Sequence, residues 1–94
     1  MELTVLLSTG RRWRADVGER WPSMQASRVA AVLEKVCGRP LRQGGSHRQF
    51  ARPDGGGTFT FAFHDRETIP GGKVRRILLV DVGLSIEHAR EMIR

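Results

Sequence analysis

His47 follows a Gly44-Gly45-Ser46 pivot and stands between Arg42 and Arg48, one of three histidines in a chain of 94 residues. Imidazole is the side chain whose ordinary pKa lies close enough to neutrality to take up and return a proton under physiological conditions. Set among fixed cations, it suits cleavage of a phosphodiester that carries its own nucleophile, as RNA does. Without a metal, that reaction needs a base for the ribose 2′-hydroxyl, cations for the crowded phosphorane and an acid for the leaving oxygen. His47 fits the base or the acid. Arg42 fits the cation, and Ser46 with the neighbouring backbone amides fits as a set of hydrogen-bond donors. Arg48 flanks His47 in sequence, although strict alternation along a strand turns it towards the face of Phe50.

Other residues could share the work. A hairpin that pairs Phe50 with Phe61 sets His47 opposite His64, within contact range, and makes His64 a second acid or base candidate. Beside Asp65 at a strand end, His64 equally suits a cap on the chain's exit. Lys73 opens a helix, where an N-terminus already favours phosphate, and Arg75 and Arg76 follow it as further phosphate candidates. Each of these cations also suits an ordinary solvated basic surface, and His47 by spacing alone also suits a solvent-facing strand position.

The elements that must hold these residues are legible in the patterning. Val29, Val32, Leu33 and Val36 fall on one helical face over 28–37, with Ser27 as the expected N-cap and Gly38 and Pro40 as the stop. A short extended piece at 41–43 leads through the glycine pivot into strands expected at 47–52 and 58–64, joined by Pro53-Asp54-Gly55-Gly56-Gly57. Phe59, Phe61 and Phe63 alternate with Thr58, Thr60, Ala62 and His64, which gives the hairpin one oily face and one polar face. His47, Gln49, Thr60, Ala62 and His64 share the polar face. A second helix is expected over 73–82 with Val74, Ile77, Leu78 and Val82 inward, ended by Gly83. Ser85 then caps a last short helix striped with Ile86, Ala89, Met92 and Ile93. The result is an α+β fold, α-β-β-β-α plus a short C-terminal helix, in which helices cover one face of a three-stranded antiparallel sheet.

A chain of this length makes one small domain with a modest core. Its formal net charge of +6 points to an acidic partner, nucleic acid or an anionic protein. The single Cys37 forms no intrachain disulfide and leaves too few soft ligands for zinc, which favours a reducing cytoplasm and no metal or cofactor. Val5-Leu6-Leu7 is too short for a membrane span and lacks the basic lead-in of a secretory signal. Residues 1–23 fit the domain poorly. Glu2 to Leu7 and Arg12 to Val17 suit a hairpin, but Trp13 and Trp21 have no evident core to join. Nearly all of the excess positive charge falls within 24–94.

From about Met24 onwards the chain resembles the HicA family of small toxins from toxin–antitoxin pairs, ribonucleases acting on messenger RNA. The resemblance is carried by Arg42, Gln43, Gly45, Ser46, His47, Phe50 and His64, then by Gly72-Lys73-Val74-Arg75-Arg76-Ile77-Leu78 and Gly83-Leu84. It implies a double-stranded-RNA-binding-domain-like fold, a catalytic histidine at His47 and a HicB-like antitoxin as partner. Members usually begin a few residues before the first helix. Residues 1–23 are therefore expected to be an extension, either an added hairpin or a stretch ahead of a natural start at Met24, and 24–94 the toxin domain. The sequence departs from the family pattern at Gly44, where lysine is common, at Cys37-Gly38-Arg39, at Phe61-Ala62-Phe63-His64, and at Lys73, which replaces a threonine. Three readings follow: a metal-independent endoribonuclease toxin, a non-catalytic RNA-binding module of the same fold, and an attenuated toxin acting only through protein contacts.

Overall fold

A computed structural model of the chain describes residues 20–94. The hairpin expected over 2–7 and 12–17, and Trp13 with it, lies outside the described residues. The order is β1 (Met24–Gln25), α1 (Ala26–Cys37), β2 (Arg42–Gly44), β3 (His47–Ala51), β4 (Thr58–Ala62), β5 (Thr68–Ile69), α2 (Gly71–Arg76) and α3 (Ile86–Ile93). A π-helical stretch, Ile77–Val82, continues α2. β2, β3 and β4 form a three-stranded antiparallel sheet in that order, and β1 pairs with β5 in a separate two-stranded ladder. The chain is α+β, with the layering of a double-stranded-RNA-binding domain: helices against one sheet face, the other face open.

The core follows the apolar periodicity. α1 buries Ala26, Val29, Ala30, Val32 and Leu33, and α2 with its continuation buries Val74, Ile77, Leu78 and Val82. These meet Phe50 and Phe61 from the sheet and Met24 and Ile69 from the small ladder. Phe59 stacks on Phe50 with ring centroids 5.8 Å apart. The last helix begins where Ser85 Oγ accepts from the His88 amide at 3.1 Å and buries Ala89 and Ile93.

Several local expectations are corrected. Ser27 is not the N-cap of the first helix, which starts earlier. The amides of Ala26 and Ser27 donate instead to the carbonyls of Glu67 at 2.7 Å and Asp65 at 3.1 Å, so tertiary backbone supplies what a side-chain cap would. The second helix starts at Gly71 rather than at Lys73, and a Cβ at Gly71 would overlap the Trp21 carbonyl. Trp21 does find a core: it is half-buried, packs against the buried cluster and lies 4.8 Å below the Arg90 guanidinium.

The hairpin register is corrected as well. Phe50 pairs with Phe59, and His47 pairs with Ala62 rather than with His64. The cause is the turn. Asp54 accepts from the Gly56 amide at 2.7 Å and Arg52 N donates to Gly57 O at 2.8 Å, which closes the loop on Pro53 to Gly56 and draws β4 two residues along. A two-residue shift keeps the parity, so every side chain stays on its expected face.

Candidate active site on the open sheet face

The open face is a small grid. One cross-strand row is Gly44, His47 and Ala62; the next is Arg42, Gln49 and Thr60. β2 reaches β3 through the Gly45-Ser46 turn, where Gly45 takes a φ of 60° that suits glycine in a two-residue hairpin. That turn puts Ser46, half-buried, next to His47, which is exposed. The imidazole therefore stands between a hydrogen and a methyl group, with bare sheet on both sides. A cleft of about 360 Å³ opens here, lined by Arg42, Gln43, Gly44, His47, Arg48, Gln49 and Thr60. Among the described residues, no acidic side chain lines it. The arrangement suits a polyanion whose phosphate meets Arg42 while a sugar lies over the His47 row.

The candidates separate clearly by position. Arg42 is exposed on the open face. Arg48 borders the cleft, but its guanidinium is turned to the core side, where Nη2 lies 2.7 Å from Asp65 Oδ1 and the side chain is only 13% exposed. Its Nη1 is buried and has no hydrogen-bond partner among the described residues. His64 is exposed but sits beyond the end of the ladder. Its amide donates to Glu67 Oε1 at 3.2 Å and its carbonyl accepts from the Glu67 amide at 2.9 Å, so it belongs to the turn that leaves the sheet. It does not line the His47 cleft. Lys73, Arg75 and Arg76 are exposed on α2, away from that cleft, with Lys73 Nζ 5.9 Å from the Phe63 ring centroid.

Two groups of contacts carry no signal in the spacing. Arg52 serves structure: Nη1 donates to the carbonyls of Val80 and Asp81, both at 3.1 Å, and Nη2 pairs with Asp54 at 2.9 Å. That hydrogen bond, with the Gly56 amide behind it, holds the Asp54 carboxyl at about 2, well below the usual carboxylate range. Gln49 Nε2 donates to Thr58 Oγ1 at 3.1 Å, a diagonal contact that depends on the corrected register. Burial pushes the Cys37 thiol up, which keeps it in the unreactive protonated form.

Among the described residues no group of three or more His, Cys, Asp or Glu side chains is placed to hold a metal ion, and no described helix is long and apolar enough to cross a membrane. A family model described as the HicA toxin of bacterial toxin-antitoxin matches residues 26–84, well over half of the chain, from the start of α1 to just past Gly83. Neither the curated proteins nor the solved structures gave a match.

Proposed function

We propose that this chain, which belongs to the HicA toxin family of bacterial toxin–antitoxin pairs, is a metal-independent endoribonuclease that cuts messenger RNA in the cytoplasm with His47 as its acid–base residue. The observation that carries the reading is the place of that imidazole: exposed, flanked by Gly44 and Ala62, one row from Arg42. His47 takes the proton of the ribose 2′-hydroxyl, and the oxygen attacks the adjacent phosphorus. Arg42, with Ser46 and the amides of the Gly45-Ser46 turn, holds the phosphorane. The P–O5′ bond then breaks, and water at the open face supplies the proton that the leaving oxygen needs. The products are a 2′,3′-cyclic phosphate and a free 5′-hydroxyl.

The magnitudes are consistent with this division. One positioned acid or base contributes about 10²–10⁴-fold, and one positioned donor to the developing charge about 10²–10³-fold. A HicB-like antitoxin would silence the toxin by covering the same basic face and His47. Digestion of RNA in EDTA by the wild type and by His47→Ala tests the proposal. Cleavage by the wild type, reduced at least a hundredfold in the variant, is the expected result. Cleavage that requires added metal, or that persists unchanged in the variant, overturns it.

A further inference from the structure

The two edges of the three-stranded sheet differ. β2 is three residues long and carries Arg42, a short, charged border of the kind that keeps another strand away. β4, Thr58–Ala62, is five residues long and holds neither a charge nor a proline. The direction of its backbone groups follows from the ladder. Arg52 N donates to Gly57 O at 2.8 Å, in step with the pairing of β3 and β4, so Gly57, Phe59 and Phe61 turn their amides and carbonyls towards β3. Thr58, Thr60 and Ala62 turn theirs outward, and among the described residues no further strand pairs with them. All three are exposed, while Phe59 and Phe63, on the covered side, stay half-buried at this border.

The outward groups are symmetric about Thr60. A second copy of β4, laid antiparallel with Thr60 beside itself, sets Thr58 of one copy against Ala62 of the other, and every outward amide then meets an outward carbonyl. Such an isologous contact closes on itself. It places threonine beside threonine on the open side and Phe59 beside Phe61 of the second copy on the covered side, with no charge set against its like. We infer that the chain associates with a second copy of itself through β4, joining the two sheets into one of six strands. The dyad stands upright on that sheet, so both open faces look the same way. One row then runs through Arg42, Gln49 and Thr60 and, across the dyad, through Thr60, Gln49 and Arg42 of the second copy, with its two arginines five strand spacings of about 4.8 Å apart.

Sedimentation velocity of the full chain tests this, from micromolar to near-millimolar concentration at physiological ionic strength. The mass is expected to rise with concentration from that of one chain to that of two. Thr60 meets itself only in this pairing. Thr60→Lys alone and Thr60→Glu alone, which oppose like charges on the dyad, should therefore each associate about fivefold more weakly. Their equal mixture should recover at least the wild-type association, a recovery that a folding defect in either variant would not give. A chain that stays monomeric throughout the range overturns the inference and leaves β4 to a strand of another protein. Undiminished association of both single variants, or a mixture no more associated than they are, overturns it too.

Discussion

Arg48 Nη2 lies 2.7 Å from Asp65 Oδ1 on the core side of the strand that carries His47 on its open side. The strand is thus pinned from beneath at the residue next to the imidazole. Removing Asp65 leaves a largely buried guanidinium without its ionic partner, and Asp65→Ala is expected to cost about 1–3 kcal/mol of stability. Arg48→Met, which removes the charge and keeps the volume, should be close to neutral. Urea unfolding midpoints of the two variants distinguish these outcomes, and equal losses would contradict the assignment.

Arg42 and Arg48 should behave differently towards RNA. Arg42 is exposed on the face of His47, so Arg42→Met is expected to lower the slope of log affinity against log salt for single-stranded RNA by about 0.7. Arg48→Met should leave that slope unchanged. A parallel change in both slopes would place the Arg48 guanidinium on phosphate.

The clamp between the hairpin turn and the end of the second helix has its own pH signature. Asp54 has a folded-state pKa of about 2 against an ordinary value of 3.8, because Arg52 and the Gly56 amide bond to its charged form. A depressed carboxyl stabilises the fold above its unfolded value and loses that contribution as pH falls through the folded one. The stability difference between wild type and Asp54→Asn is therefore expected to be full at neutral pH and to vanish between about pH 4 and pH 2. Thermal melts across that range measure it. Gly83 belongs to the same clamp. It sits at a φ of 90°, and a Cβ there would come within 2.7 Å of Arg52 Nη2, so Gly83→Ala should cost about 1–2 kcal/mol.

Ala62 sets the clearance beside the imidazole. It is exposed on the open face opposite His47, so Ala62→Leu adds bulk beside the imidazole without entering the core. The expected result is an unchanged melting temperature with cleavage slowed about a hundredfold, the scale of a small displacement at a reacting centre. An active Ala62→Leu would mean that the sugar does not lie on that side of His47.

The sequence carried the faces of the sheet and left its register open. Alternation of Phe59, Phe61 and Phe63 with Thr60 and Ala62 decides which side is covered, because the side-chain period of a strand is fixed. It cannot say how far one strand slides along the next. Here a single carboxylate, Asp54, closes the turn and moves His64 out of line with His47. Ser27 has the right chemistry for a cap, but carbonyls from Asp65 and Glu67, distant in sequence, reach the helix end first. Trp21 lacked a visible partner for a related reason: the Arg90 guanidinium over its ring comes from the far end of the chain, and the core that it joins is assembled from segments spread over 24–93. The candidate site was legible where it rests on neighbours, in the run from Arg42 to His47 that lines the cleft. It was not legible where it rests on tertiary contacts, as at Arg48 with Asp65 and Gln49 with Thr58.

The most direct test of the central claim replaces the attacking group. An RNA carrying one 2′-deoxy nucleotide at the cleaved position is compared, in EDTA, with its all-ribose twin. The account predicts that the wild-type protein cuts the twin to a 2′,3′-cyclic phosphate and leaves the substituted bond intact. Scission of the deoxy-substituted bond at the same rate, or products ending in a 5′-phosphate, would show that the nucleophile is water and that His47 does not act on the ribose hydroxyl.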